Sequence, residues 1–172
     1  MKVYSRLRWG ARRPRDRTPQ ELTDDSILFF HYSEGQGRGI ESFKEQAAAI
    51  RGIQNFHMDV RQWSDIAYNR LICQPYGKLR RARCFEGRGL NTVPASQVGH
   101  NTGNVSYCIL AKPGEPLKKA TRKLMVQAAQ EHKGKYIAGH RDGGDTDCPG
   151  DLIYAALDGV AKEAGRLHWK GH

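Results

Sequence analysis

The chain alternates between short apolar runs and longer segments in which apolar residues recur every three or four positions. The runs at residues 26–32 and 105–111 have the length and content of buried strands. Residues 63–73 alternate between apolar and polar, which predicts another strand, with residues 84–86 as its return strand. Short strands that alternate with helical segments predict an α/β fold built in layers.

Three segments are predicted to be amphipathic helices. The first begins at Ser42, because Ser42 and Glu45 fit a capping box, and it continues to about Met58. Apolar residues return with helical spacing over residues 117–133 and again over residues 152–164. We therefore expect one domain that spans all 172 residues, with a central, mostly mixed sheet flanked by about three main helices.

Residues 1–25 are the most basic part of the chain and are rich in turn-forming residues. This segment is either a solvated arm that lies over the domain or a contact for an anionic surface. Trp9 is expected to anchor the arm in the core. The arginines of the arm are Arg6, Arg8, Arg12, Arg13, Arg15 and Arg17.

The net charge of +10, from 28 basic and 18 acidic residues, adds a class of partner to this picture. It predicts attraction to a polyanion, which is a nucleic acid, an anionic membrane or an acidic cell wall. The first ten residues lack the apolar core of a signal peptide, and no apolar run is long enough to span a membrane. The protein is therefore expected to be made in the cytoplasm without a signal peptide and without a transmembrane segment.

The four cysteines form no CxxC pair, so neither a zinc ribbon nor a thioredoxin-type site is expected. Cys108 lies in an apolar run and is expected in the core. Cys73 and Cys84 flank the predicted hairpin. They either pair across it or remain two reduced thiols, and the second interpretation is the favoured one.

His140 and Cys148 stand eight positions apart around a loop of glycine, aspartate and threonine. Soft nitrogen and sulfur donors that flank a flexible loop predict a metal site, and zinc is the metal that such donors favour. Pro149 suits the first turn of the last predicted helix, so Cys148 lies at the helix N-terminus, where the pKa of a thiol falls. Two ligands do not complete a site, so another must come from elsewhere in the chain.

A series of short segments supplies the missing context. The segments are Arg8-Trp9-Gly10-Ala11, His31-Tyr32-Ser33, Ile53-Gln54-Asn55-Phe56-His57-Met58, Trp63-Ser64-Asp65-Ile66-Ala67-Tyr68-Asn69, Glu86-Gly87-Arg88-Gly89, Gly99-His100-Asn101, Gly139-His140-Arg141-Asp142 and Thr146-Asp147-Cys148-Pro149-Gly150. In these segments the chain resembles the type-2 N-acetylmuramoyl-L-alanine amidases, a family that includes phage amidase lysozymes and peptidoglycan recognition proteins. The segments occur in the family's order and cover nearly the whole chain.

The resemblance implies a Zn²⁺ ion held by His31, His140 and Cys148, with water in the fourth position, as a catalytic zinc requires. It also implies a catalytic role for Tyr68, whose hydroxyl would bond to the attacking water or the developing oxyanion. Thr146 occupies a place where some members carry lysine. Its hydroxyl can donate a hydrogen bond there but cannot supply lysine's charge. The alternatives are that Tyr68 is a core tyrosine and that Thr146 is an ordinary loop residue.

For substrate binding, the resemblance points to Trp63, Arg88 and His100. Trp63 matches a position that in recognition proteins contacts the third residue of the stem peptide, where tryptophan accompanies diaminopimelate. Here Gln62 replaces the glycine that usually precedes it. His100 is alternatively a residue that holds its own loop, or the main rival of the three implied metal donors, and ligation is the less favoured of these interpretations. The remaining histidines are expected to pack against a helix, for His57, or to lie at the surface, for His132, His168 and His172.

Three functions follow from these features. The first is a monomeric zinc amidase that cleaves peptidoglycan between N-acetylmuramic acid and L-alanine, as a phage endolysin that reaches the cell wall after release and is held there by its basic charge. The second is a recognition module of the same fold that binds peptidoglycan without cutting it. The third, a nucleic-acid-binding protein, rests on charge alone and lacks a recognition motif, so no nucleic-acid partner is expected.

Overall fold

The computed structural model describes residues 1–33, 40–111 and 114–171. The glycine-rich loop at residues 35–39 and His172 therefore lie outside the described residues. The strands are β1 (Val3–Tyr4), β2 (Ile27–Tyr32), β3 (Arg70–Cys73), β4 (Arg83–Glu86), β5 (Val105–Leu110), β6 (Tyr136–Gly139) and β7 (Leu167–His168). The helices are α1 (Arg6–Trp9), α2 (Phe43–Asn55), α3 (Lys119–Glu131), α4 (Asp151–Tyr154) and α5 (Leu157–Ala164).

The seven strands form one mixed sheet in the order β1-β4-β3-β5-β2-β6-β7, which confirms the predicted α/β fold. Only β3 and β4 pair antiparallel, while all other neighbours are parallel. The carboxyl ends of β2, β5 and β6 therefore meet at one edge of the sheet, where open α/β sheets bind their ligands.

Helices cover both faces of the sheet. On one face, α3 and α5 bury Met125, Leu157 and Val160 against strand residues such as Phe30. On the other face, α2 packs Ile50 against residues of β3, β4 and β5. Burial on both faces explains why β2 and β5 are almost continuously apolar rather than alternating. Among the described residues, no helix is both long enough and apolar enough to cross a membrane.

The N-terminal arm is fastened to the sheet at its start. The strand β1 pairs with β4, and Trp9 is fully buried beneath α2. The Trp9 indole Nε1 donates a hydrogen bond to the carbonyl of Glu86 at 2.8 Å, so its one polar group is satisfied inside the core. The expected anchoring by Trp9 is therefore confirmed.

The capping box at the start of α2 is confirmed. The hydroxyl of Ser42 accepts the N–H of Glu45 at 3.2 Å, and the Glu45 carboxylate accepts the N–H of Ser42 at 2.7 Å. The α-helix ends at Asn55, earlier than predicted, because the chain continues as a π-helical turn over Phe56–Val60.

The strand predicted over residues 63–73 is wrong in its first half, since β3 begins only at Arg70. Side chains take over the backbone bonds that a strand would make. The Asn69 side chain accepts the N–H of Ser106 at 2.8 Å and donates to two loop carbonyls. The Asp65 carboxylate accepts the N–H of Ile66 at 2.8 Å. Such local bonds compete with a sheet ladder, and here they stabilise an irregular segment at the sheet edge.

The last predicted helix is two helices, α4 and α5. The break lies at Ala155 and Ala156, where the N–H of Ala156 bonds to the carbonyl of Ile153 rather than to the residue four positions back. The apolar face predicted from the sequence still points inward, because Ile153 and Leu157 on either side of the break are both buried.

Cys73 and Cys84 are free thiols on opposite faces of the sheet. Cys84 is the register partner of Ile72 in the β3–β4 ladder, so their side chains lie on the same face of the sheet. Cys73 is the next residue after Ile72, so its side chain points to the opposite face. Burial raises the pKa of Cys84 to about 12 and raises that of Cys73 even further. The favoured interpretation, two reduced thiols, agrees with this placement.

Gly87 provides a test of how the irregular segment is held. A Cβ atom on Gly87 would lie 2.2 Å from the carbonyl oxygen of Tyr68. We expect Gly87→Ala to lower the free energy of unfolding by about 1–3 kcal/mol through overpacking against backbone. The control, Gly52→Ala in α2, meets no atom within 4 Å and should raise stability by about 0.5–1 kcal/mol. Urea unfolding of both variants measures the difference, and equal effects would contradict the packing argument.

Candidate metal centre

Three soft donors converge at the edge where the parallel strands end. His31 is near the end of β2, His140 directly follows β6, and Cys148 precedes α4. Their potential ligand atoms all lie within 4.8 Å of one another, and the Cys148 Sγ is 3.8 Å from the Nδ1 of His31. Around a tetrahedral zinc ion, a nitrogen and a sulfur ligand are ~3.6 Å apart, so the cluster has the spacing of a zinc site.

The state of the two histidines also fits a metal ion. His31 is only 1% exposed, and its Nε2 is buried without a hydrogen-bond partner among the described residues. Burial, together with the nearby His140, holds the pKa of His31 well below its usual range. Burial lowers the pKa of His140 as well. Both rings are therefore neutral at pH 7, which is the form that binds metals.

Hydrogen bonds to backbone groups hold together the segments that carry His140 and Cys148. The N–H of Arg141 donates to the carbonyl of Cys148 at 2.9 Å. The amide of Gln97 donates to the carbonyl of His140 at 3.1 Å, and the hydroxyl of Thr146 accepts the N–H of Cys148 at 3.2 Å. The ligand loop is thus fixed by the protein itself, as a preorganised metal site requires.

Tyr68 lies beside the three donors, although it is outside the sheet. It belongs to the irregular segment before β3, and its ring centroid is 5.4 Å from that of His31. Burial raises the pKa of Tyr68 well above its ordinary value, and the nearby thiols of Cys108 and Cys148 add to the shift. The phenol is therefore protonated and can donate a hydrogen bond.

A groove runs past the donors. One part, with a volume of about 550 Å³, is lined by all three donors and by Tyr68 and Thr146. A second part of about 480 Å³ continues it towards α2. The residues that line both parts are Tyr32, His57, Arg61, Trp63 and Tyr68. A larger cavity of about 880 Å³ lies at the opposite edge of the sheet, near Leu28 and Val105, and contains none of the donors.

His57 is part of the groove wall, whereas the sequence predicted only that it packs against a helix. Its Nδ1 accepts the N–H of Ala67 at 3.1 Å, so the neutral ring carries its proton on Nε2. The ring also packs on Trp63, with centroids 4.9 Å apart. Burial lowers the pKa of His57 to about 4, and the charges of Arg88 and Arg61 contribute. The one signal in the sequence was the matching segment that contains His57. Arg61 on the groove wall had no signal of this kind.

Of the three residues predicted to bind substrate, the structure brings only Trp63 to the groove. The guanidinium of Arg88 is buried and donates to the carbonyls of Ile66 at 2.7 Å and Val93 at 3.0 Å. His100 packs on Trp169, with ring centroids 5.4 Å apart. Among the residues that the structure describes, neither Arg88 nor His100 lines the groove, and the geometry favours the alternative in which His100 holds its loop.

Gln62, which stands in place of the family's glycine, adopts a φ of +58°. A glycine reaches this conformation without steric cost, whereas a residue with a Cβ is strained there. The side chain makes two compensating contacts, donating to the carbonyl of Asp59 at 2.7 Å and accepting from Arg15 at 3.2 Å. The departure therefore keeps the backbone turn that presents Trp63.

Two histidines predicted at the surface are instead buried. His132 lies within hydrogen-bond distance of the Ser26 carbonyl, at 3.0 Å. The side chain of His168 is 5% exposed and lies between Asp142 and Asp158. Sequence alone missed both, because their partners are distant in the chain.

No family model matches the chain. It is 28% identical over 164 residues to the N-acetylmuramoyl-L-alanine amidase of Homo sapiens, covering 90% of this chain and 27% of that protein. It is 28% identical over 177 residues to the peptidoglycan-recognition protein SC1a of Drosophila melanogaster, covering 98% and 88% respectively. The chain thus spans about a quarter of the length of the mammalian amidases it matches. Its homologues are amidases and peptidoglycan recognition proteins, as the resemblance predicted.

Solved structures show the same fold. Drosophila PGRP-LB superposes with a TM-score of 0.76 at 23% identity, over 91% of this chain and 92% of that chain. A human PGRP-Iβ domain in complex with a glycosamyl muramyl pentapeptide gives a TM-score of 0.72 at 23% identity, over 91% and 94% of the two chains. These similarities confirm the predicted recognition-protein-like fold.

The low pKa of His57 leads to a prediction about acid stability. The unfolded chain protonates this histidine below about pH 6.5, whereas the folded protein does so only near pH 4. Acidification between these values therefore favours unfolding, by at most about 1.4 kcal/mol per pH unit for one group. We expect metal-free protein to lose stability from pH 6.5 to pH 4, with a shallower slope in His57→Asn. Urea unfolding with a chelator present measures both slopes, and parallel curves would contradict the assignment.

Proposed function

We propose that the protein is a zinc-dependent N-acetylmuramoyl-L-alanine amidase, which hydrolyses the amide between N-acetylmuramic acid and L-alanine in peptidoglycan. One observation carries the proposal: a set of three donors, His31, His140 and Cys148, opens into a groove beside a protonated Tyr68. Three protein ligands leave one coordination position for water and substrate, which is the arrangement of catalytic rather than structural zinc sites.

When bound, the zinc ion lowers the pKa of a water ligand towards ~7 and polarises the carbonyl of the scissile amide. The protein supplies the remaining stabilisation of charge. Tyr68 donates its phenolic proton in a hydrogen bond to the oxygen that becomes negative. Thr146 accepts the N–H of Cys148 with its oxygen, so its own hydroxyl proton remains for a second hydrogen bond to substrate.

The groove wall holds the peptide stem. The neutral His57 presents its Nε2–H as a donor, and the ring of Trp63 offers an apolar face beside it. The human PGRP-Iβ domain has a similar fold and was solved in complex with a glycosamyl muramyl pentapeptide. This similarity supports peptidoglycan as the ligand class.

The second candidate is a recognition module that binds peptidoglycan without cutting it. The similarity to Drosophila recognition proteins favours it. We rank it second because a module that only binds its ligand has no need for two neutral histidines and a cysteine grouped around an open position.

We further propose that the protein acts on intact cell walls as an endolysin of phage type. The net charge of +10 supports this setting, since it attracts the protein to anionic wall polymers. Exposed arginines of the N-terminal arm, such as Arg8, Arg13 and Arg17, contribute to that charge.

Digestion of purified peptidoglycan tests the proposed activity. We expect zinc-loaded protein to release new L-alanine amino termini, whereas chelated protein and Cys148→Ser release none, because both lack the metal. Binding without release of amino termini would instead establish the recognition module. In a second arm, intact walls are digested at low and high salt. Activity on walls should fall at high salt while activity on a soluble muramyl peptide stays constant, and equal salt dependence would overturn the role of charge.

Tyr68→Phe separates catalysis from metal binding. The variant retains the three donors, so we expect zinc content equal to that of the original protein. Loss of one donor to the oxyanion should lower kcat about 10²–10³-fold. Zinc content is measured by atomic absorption and kcat with a soluble muramyl peptide. Loss of zinc from this variant would contradict the role assigned to Tyr68.

A further inference from the structure

Asp142, two residues after His140, is a carboxylate buried to 3% exposure at the centre of a polar cluster. It accepts the N–H of Gly139 at 2.7 Å and the hydroxyl of Tyr154 at 2.6 Å. The Nε2 of His168 lies 3.0 Å from the same carboxylate. We refer to Asp142, Tyr154 and His168, with the N–H of Gly139, as the Asp142 cluster.

The Asp142 cluster joins three elements around the metal ligands. Gly139 ends β6 immediately before His140. Tyr154 ends α4, the helix that begins three residues after Cys148. His168 lies in β7, the last strand of the sheet. The carboxylate of Asp142 therefore connects the backbone at Gly139, which precedes His140, to α4, which follows Cys148.

His168 completes the cluster from the end of the chain. Its second nitrogen, Nδ1, lies 2.7 Å from a carboxylate oxygen of Asp158. A ring nitrogen that carries a proton donates to the carboxylate that it faces, so His168 lies between two acceptors and supplies Asp142 with a hydrogen-bond partner. Hydrogen bonds of this kind offset the cost of burying a carboxylate.

The position of His168 is itself fixed by the sheet. Its neighbours Leu167 and Trp169 donate backbone bonds to the carbonyls of Lys135 and Ile137, both at 2.9 Å. An exposed ion pair between Arg141 and Asp151 also links the ligand loop to α4, but solvent screens it. The Asp142 cluster makes this connection in the interior, where it is stronger.

We propose that His168, acting through Asp142, is a positioning residue that sets the mutual placement of His140 and Cys148 for metal binding. The inference rests on the proposed function for the identity of the metal. It makes β7 part of the proposed metal centre through its hydrogen bond to Asp142.

The test compares zinc affinity, measured by competition with a chromophoric chelator, in His168→Leu and Asp158→Asn. Loss of a direct hydrogen-bond partner of a metal ligand weakens metal binding about 10–100-fold. His168 acts one step further out, through Asp142, so we expect the lower end of that range, about 10-fold, for His168→Leu. Asp158→Asn removes the solvent-exposed partner of His168 but leaves Asp142 untouched, so its affinity should match that of the original protein. Absorption of the Co²⁺-substituted protein in the thiolate charge-transfer region reports on the ligand geometry and should change in His168→Leu alone.

Two further variants keep the test decisive. His168→Gln retains a donor towards Asp142 and should recover part of the lost affinity. Tyr154→Phe removes one hydroxyl from the Asp142 cluster and should weaken zinc binding even if His168→Leu fails to fold. Original affinity in Tyr154→Phe and in folded His168→Leu would overturn this inference alone. Failure of the unchanged protein to bind zinc would overturn the proposed function as well.

Discussion

The parallel pairing of β2 with β6 is the constraint on which the rest of the site depends. Phe30 lies opposite Gly139 in this ladder. The next residues, His31 in β2 and His140 after β6, are therefore side by side. Neighbouring strands are about 4.8 Å apart, and the two imidazole centroids are 4.6 Å apart. A shift of one residue in either strand would turn its histidine to the opposite face. The apolar residues that fix this register therefore also fix the spacing of two candidate metal ligands.

The same edge needs irregular backbone as well as strands. Tyr68 reaches His31 because the chain before β3 leaves the sheet, and Asp65 and Asn69 satisfy the backbone groups released there. Burial lowers the pKa of His57, and the charge of Arg88, which bonds to carbonyls of the same region, adds to the shift. The irregular segment before β3 thus positions the phenol of Tyr68, and the buried Arg88 helps to keep His57 neutral.

Regular elements and anchors could be predicted from sequence because their signals are local. The capping box of Ser42 and Glu45 and the burial of Trp9 depend on spacing and apolarity within a few residues. His140 and Cys148 were predicted as candidate metal ligands from their spacing, whereas His31 required the resemblance because it is remote from them in the chain. The start of β3 and the burial of His168 depend on bonds between distant segments, and the break before α5 depends on the shift of the Ala156 N–H to a carbonyl only three residues back. No pattern along the chain encodes those bonds.

Burial of His31 links metal binding to folding. A neutral imidazole whose Nε2 lacks a hydrogen-bond partner destabilises the metal-free protein, typically by about 1–3 kcal/mol for such a group. A metal ion that binds only the folded state shifts the equilibrium back by mass action, about 2.7 kcal/mol at a hundred times the dissociation constant. Metal bound to the candidate ligands would therefore add stability that the metal-free protein lacks. This coupling gives a physical reason for bracing the ligand loop from several elements, since a preorganised loop loses less entropy when the ion binds.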